Sequence, residues 1–238
     1  CKIKDENMNK MKFLVISDGH GDLEVLDKLD SEFNSCDAVL FGGDFAKFKE
    51  IETGLPFLQK LVKKHDSIHA VLGNCDSPDF IDAIENYDIC VEKSLTFGLP
   101  FSFIGCGGGT KFTGTTPFER TEDEILSDLN VLSEDVDLDM QKVILITHNP
   151  PKDTKTDTIN GGIHVGSEKI RQWIENYKPF LVVTGHIHES AGIDYIGKTP
   201  IINPGALCEG KYATVEVQWD EKVLDKVPEI ISIELKSL

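Results

Sequence analysis

Five apolar runs in this sequence lead directly into residues that can bind metal. "KFLVIS" leads to Asp18 and His20, "DAVLFGG" to Asp44, "HAVLG" to Asn74, "VILIT" to His148, and "FLVVTG" to His186 and His188. Two carboxylates, four imidazoles and one amide offer N and O donors suited to borderline or hard divalent ions such as Mn, Fe or Zn, with no thiolate in the set. A lone Asp after a strand is usually a cap or turn residue, and a lone His is usually a hydrogen-bonded structural group. Recurrence at the same point of five runs is what marks a site. In an extended segment residues i and i+2 point the same way, so the spacing of His186 and His188 is expected to bring both to adjacent points of it.

Those runs need elements to hold them. From Lys12 onward short apolar runs alternate with amphipathic stretches. Asp22 is placed to cap a helix with Val25, Leu29 and Phe33 on one face. Ser77-Pro78 opens a helix carrying Phe80, Ile81 and Ile84. Thr121 and Glu124 form a capping box ahead of Ile125, Leu129 and Leu132. "GSEKIRQWIENYKP" is a helix with Ile170, Trp173, Ile174 and Tyr177 on one face, ending near Pro179. The last part differs: "GIDYIG", "TPIINPG", "YATVEVQW" and "IISIEL" are strand-like runs without intervening helices, which predicts antiparallel pairing. The result is a mixed α/β fold with strands inside and helices outside, in which ligands gather at the carboxyl ends of the strands. A polar extension over 1–10 is expected to precede a single domain over 11–238, in a chain of 238 residues without an internal linker.

Composition limits the partners. A net charge of −17 argues against long nucleic acid and anionic membrane surfaces, both of which attract Lys/Arg fields. Any phosphate-bearing substrate must be drawn by something local. The cysteines at 1, 36, 75, 90, 106 and 208 form no CxxC pair, which fits reduced, buried thiols and a cytoplasmic setting. Cys1 reads as a trimmed or mis-started first residue, with Met8 or Met11 as the start, or as a lipid-bearing one that would tie the chain to a membrane.

"SDGH", "GGD", "GNCD", "THNP" and "GHIH", in this order from Ser17 to His188, resemble the five sequence blocks of the calcineurin-like metallophosphoesterases. The run from "GGIHVGSEKIRQW" through "GHIHES" to "IINPG" resembles the small prokaryotic Icc-related branch. The resemblance implies a four-layer α/β/β/α sandwich and a two-metal phosphoesterase, more readily a phosphodiesterase on a small or nucleotide-like substrate than a protein phosphatase. It assigns Asp18, His20 and His188 to one divalent ion and Asn74, His148 and His186 to a second, with Asp44 bridging them and a bridging hydroxide as nucleophile. The third block also brings Asn74 and position 75 toward the substrate. Many members carry histidine at 75, where it contacts the phosphate and helps the leaving group; here the residue is Cys75, which leaves the proton donor open.

Asp76 reads either as a partner behind the ligands or as a helix entry. His164, in the glycine-rich "NGGIHVGS", reads either as a substrate contact with a catalytic proton or as a loop anchor. His65 reads as a surface residue and His69 as structural. "GCGGGTKFTGTTPFER" is a candidate wall of the site and lacks the Lys-Ser/Thr ending of a P-loop. A non-catalytic binding scaffold and a nuclease are the alternatives of different class. Loss of ligands would mark the first, yet all seven are present; the acidic charge disfavours the second.

Overall fold

The computed structural model describes residues 8–111, 114–133, 138–220 and 227–238, with side chains of 131–133 excepted. Chain order begins β1 (Met8–Ile16), α1 (Leu23–Lys28), α2 (Asp30–Ser35), β2 (Ala38–Phe41), α3 (Gly54–Leu61), β3 (Ile68–Ala70) and α4 (Ile81–Asn86). It continues through β4 (Thr96–Gly98), β5 (Phe101–Cys106), β6 (Gly109–Thr110), β7 (Glu119–Arg120), α5 (Glu122–Ser133), β8 (Val143–Thr147), β9 (Thr158–Ile159), β10 (Ile163–His164), α6 (Glu168–Tyr177) and β11 (Leu181–Val183). Four strands close it: β12 (Gly192–Ile196), β13 (Thr199–Asn203), β14 (Lys211–Asp220) and β15 (Glu229–Ser237).

Two mixed sheets result, ordered β15-β14-β1-β2-β3 and β12-β13-β11-β8-β5-β4. Alternation along each strand divides the side chains between faces. Phe13, Val15 and Leu40 of the first sheet meet Phe101, Phe103, Ile144, Ile146 and Val183 of the second in one buried cluster between the sheets. Leu14, Ile16, Val39 and Phe41 face the other way, onto α1, α3 and α4 through Leu26, Phe57, Leu61 and Ile84. On the far side, Ile104, Val143, Leu145 and Val182 pack on α5 and α6 through Ile125, Leu129, Ile170 and Trp173. These are the layers of an α/β/β/α sandwich.

Local sequence signals explain the starts of three helices. Asp22 accepts the N–H groups of Glu24 and Val25 at the start of α1, and a break at Leu29 divides the expected single helix into α1 and α2 while Val25, Leu29 and Phe33 all stay buried. Thr121 Oγ1 accepts from Glu124 N at 3.2 Å and Glu124 Oε2 accepts from Thr121 N at 2.7 Å, completing the capping box of α5. The Leu132 side chain lies outside the described residues. Ser167 caps α6, whose C-cap is the left-handed Lys178.

Two of these expectations change. Met8–Lys10, assigned by their polarity to an extension, pair with Asp220, Trp219 and Gln218 and begin β1, because β14 is long enough to offer them a partner; residues 1–7, Cys1 included, lie outside the described residues. The closing strands pair with one another antiparallel as expected, β12 with β13 and β14 with β15, and β13 also enters the second sheet parallel to β11. His65 is more than a surface residue, since its ring faces the Ser67 and Cys36 carbonyls at 2.9 and 3.3 Å. His69 is structural, stacked on Phe103 with ring centroids 3.6 Å apart. Among the described residues no helix is long and apolar enough to cross a membrane.

Candidate metal centre

The carboxyl ends of β1, β2, β3, β8 and β11 bring all seven expected ligands to one edge of the sandwich. Four of them leave their strands through left-handed backbone, with φ of 56° at Asp18, 45° at His20, 61° at Asp44 and 67° at His186. Such conformations disfavour non-glycine residues and gather at functional sites, where surrounding structure enforces them. Part of that enforcement is visible in the loops. Asp18 N–H donates to Gly43 O at 2.9 Å and His20 N–H to Asp44 O at 3.0 Å, which ties the first loop to the second. A Cβ on Gly73 would lie 1.9 Å from Asp44 Oδ1, and one on Gly185 1.9 Å from Ser17 Oγ, so both loops require glycine to close on the site.

The side chains form two linked groups. In the first, His188 Nε2 lies 3.3 Å from Asp18 Oδ1 and 3.2 Å from His20 Nε2. In the second, His148 Nε2 lies 2.8 Å from Asn74 Oδ1, and the His148 and His186 rings have centroids 5.0 Å apart. Asp44 stands between them. Its Oδ2 lies 3.7 Å from His20 Nε2 and 3.6 Å from His148 Nε2, while Oδ1 accepts the Cys75 N–H at 2.7 Å.

The donor chemistry fits divalent cations. His20 Nδ1 faces Ala46 O at 3.1 Å and His148 Nδ1 faces Gly42 O at 2.7 Å; a carbonyl only accepts, so each Nδ1 carries the proton and each Nε2 lone pair is turned inward. The approach of two Nε2 atoms and two buried carboxylates is favourable only with positive charge among them. Asp18, His20 and His188 form one potential ion-holding group, and Asp18, Asp44 and His148 another. Burial opposes ionisation of Asp18, but the His188 bond and the charges of His148, His188 and His20 hold its carboxyl well below the usual range. Burial, reinforced by His148, lowers the His186 pKa to about 4 and keeps that ring neutral, as a ligand must be.

The extended geometry expected for His186 and His188 is not what places them. β11 ends at Val183, His186 turns through left-handed backbone, and His188 begins a short 3-10 turn. The two rings thus part, His186 toward His148 and His188 toward His20, with the His20 and His188 centroids 5.1 Å apart. Asn203 secures this bend by donating from Nδ2 to Ile187 O at 2.9 Å. Its motif "IINPG" stood out in the sequence, but no local pattern showed that its amide would reach the histidine loop.

Asp76 is a partner behind the ligands. Its carboxylate accepts the N–H groups of Asp44, Phe45 and Gly73 through Oδ2 and that of Ala46 through Oδ1, at 2.8 to 3.2 Å. Burial and the neighbouring Asp44 push its pKa up to about 7, against the pull of those amides. Cys75 lies buried beside Asp44 and His20. Burial and Asp44 push its thiol far up, which makes it a weak proton donor. His164 stands in β10 and is half-exposed, with Nδ1 2.7 Å from the buried Asp157 Oδ1, a partner that raises its pKa. It borders a groove lined by Thr110, Lys111 and Lys152, whereas His186 and His188 open onto one lined by Ile159, Glu189, Glu209 and Lys211. The expected glycine-rich wall is present through Gly109, where a Cβ would lie 3.1 Å from Asn74 Cβ; Phe112 and Thr113 of that segment lie outside the described residues.

A sandwich with this constellation at the strand ends defines a class, and residues 11–190 match the calcineurin-like phosphoesterase family. The chain belongs to that family. It is 33% identical over 201 residues to the uncharacterized protein MJ1162 of Methanocaldococcus jannaschii, an alignment covering 82% of this chain and 88% of that one. The fold is shared with TT1561 of Thermus thermophilus, at a TM-score of 0.67 and 20% identity over 96% of this chain and 99% of that one. It is shared also with the NAD nucleotidase NadN of Haemophilus influenzae, at 0.52 and 15% identity, over 98% of this chain and 51% of the other. The family binds divalent metals, and this chain carries candidate groups for them.

Proposed function

We propose that the protein is a two-metal phosphoesterase acting on phosphodiester bonds of a small, nucleotide-like substrate. The observation carrying this reading is the position of Asp44 Oδ2, 3.7 Å from His20 on one side and 3.6 Å from His148 on the other. One carboxylate oxygen so placed is suited to be shared by two cations. Asp18, His20 and His188 would hold the first ion, and Asn74, His148 and His186 the second. Ions held there would supply a water of lowered pKa as nucleophile and would neutralise charge on the attacking and leaving oxygens of an in-line displacement.

The chain's own residues do the rest. Asp76 fixes the loop bearing Asp44 through three amides and its own loop through that of Gly73, and the carbonyls of Ala46 and Gly42 set the orientation of His20 and His148. The protein lacks the imidazole at position 75 that would assist a poor leaving group, so esters of acidic alcohols are favoured. His164 is the remaining candidate proton donor, its protonated form favoured by Asp157. The test is a screen of aryl mono- and diesters after reconstitution with Mn²⁺, Fe²⁺ or Zn²⁺. Metal-dependent turnover with diesters preferred supports the reading; no turnover with any metal, or preference for monoesters, overturns it.

A further inference from the structure

Around the metal centre, charge is unevenly spread. On the side of His186 and His188 the groove carries Glu189, Glu209 and Lys211, an acidic balance. Beyond the β9/β10 hairpin lies a second groove of about 480 Å³, into whose wall Lys111, Arg120, Lys152 and His164 are set against a single carboxylate, Glu122. That carboxylate is already committed: it accepts the Ser167 hydroxyl and the N–H groups of Glu168 and Lys169 at the start of α6. Arg120 is committed too, to Asp128 at 2.5 Å and to Gly107 O at 3.2 Å, and that buried ion pair leaves Lys111 and Lys152 as the cations able to meet a ligand. The ammonium of Lys152 is held only loosely, 3.6 Å from an exposed Glu168, and Lys111 is exposed at the edge. In a chain of net charge −17, such a gathering of cations needs a reason.

The groove adjoins the metal centre. Thr110, in its wall, lies next to Gly109, which packs on Asn74 and His186. The Thr110 N–H points to Asn149 Oδ1 at 3.5 Å, and Asn149 follows the ligand His148; its buried amide nitrogen has no hydrogen-bond partner among the described residues. On the other side Thr158, paired with His164 in the hairpin, accepts the Ser190 hydroxyl just beyond His188. The groove and the metal centre are therefore neighbours, joined through Thr110, Asn149 and the β9/β10 hairpin.

We infer that this groove is a subsite for a second phosphate of the same substrate, held by Lys111 and Lys152. The inference rests on the phosphoesterase reading and narrows its substrate to a diester that carries an additional phosphate. Interactions of a phosphate with ammonium groups are charge-assisted, and an analogue lacking the anion forgoes them.

The test uses the Mn²⁺-loaded full chain and two diesters that release the same p-nitrophenolate: thymidine 5′-(p-nitrophenyl phosphate) and its 3′-phosphorylated counterpart. The ratio of their kcat/KM values is the readout. Wild type should favour the phosphorylated ester by about tenfold or more, the scale of one or two charge-assisted contacts. Lys111→Ala combined with Lys152→Ala should bring the ratio close to one. Lys10→Gln with Lys198→Gln removes equal charge elsewhere and should keep it. A ratio near one in wild type, or one unchanged in the Lys111/Lys152 variant, overturns the subsite while leaving the esterase reading intact. If neither ester is cleaved, that reading fails, and calorimetric binding of thymidine 3′,5′-bisphosphate against thymidine 5′-monophosphate decides. Tighter bisphosphate binding that needs both lysines upholds the anion site, and equal binding overturns it.

Discussion

Asp76 accepts the backbone N–H of Asp44 at 3.1 Å, and the same carboxylate takes the amides of Phe45, Ala46 and Gly73. The loop that carries Asp44 is thus held from behind by one buried side chain. Asp76→Ala would leave four amides without their acceptor, at a cost of about 3 kcal/mol or more in stability. Metal affinity should fall by about 10- to 100-fold, as is usual when support behind a ligand is removed. Asp76→Asn, which keeps one acceptor oxygen, should lie between the two. Urea unfolding and Mn²⁺ titration of the three proteins check both effects.

His69 makes stability depend on pH. Burial against Phe103 lowers its pKa from 6.5 to about 4, so between these values the unfolded chain binds the proton and the folded one does not. Its contribution is complete above pH 6.5 and is lost as pH falls toward 4, a change of about 3 kcal/mol. His69→Phe should remove that part of the acid sensitivity. Unfolding free energies of both proteins across pH 4 to 7 should converge near pH 7 and separate below pH 6 with the variant ahead.

Chelation should lower thermal stability as well as activity. Asp18 and Asp44 are buried among imidazoles at one sheet edge, and cations bound only to the folded chain stabilise it by mass action. At a free Mn²⁺ concentration about 100 times Kd the gain is about 2.7 kcal/mol. Melting with Mn²⁺ and with chelator should differ by several degrees; coincident curves would show an empty or energetically isolated site.

Turnover should depend steeply on the leaving group, because the thiol at 75 is a weak acid. Aryl diesters should be good substrates and alkyl diesters poor ones. If His164 delivers the proton, His164→Ala steepens the dependence and lowers alkyl-ester rates by about 10²-fold or more. Cys75→His, with its ring able to reach the ester oxygen, should flatten it. Rates for a series of diesters with wild type and both variants give three slopes; identical slopes would reject both residues as determinants.

What could be read in the sequence was whatever depended on local order. All seven expected ligands follow their strands, and the Thr121/Glu124 box and Asp22 cap close within one helical turn, so chain proximity alone reveals them. Long-range matters were hidden. Asp76 reaches loop 44–46 across some thirty positions, and Asn203 reaches Ile187, and neither distance has a periodic signature. The parallel entry of β13 beside β11 depends on which edge the second sheet leaves open. The bend at His186 escaped because left-handed backbone at a non-glycine residue is imposed from outside: the His186 N–H donates to Asp18 Oδ2 at 3.1 Å.

If Asp44 is shared by two ions, its loss must weaken both. Native mass spectrometry of the chain titrated with Mn²⁺, wild type beside Asp44→Asn, counts them. Saturation is expected at two ions per chain in wild type, with weakened binding of both in the variant and turnover reduced by orders of magnitude. Saturation at a single ion in wild type, or a variant that retains two ions and loses less than about tenfold in rate, a barrier change of about 1.4 kcal/mol, would contradict that sharing.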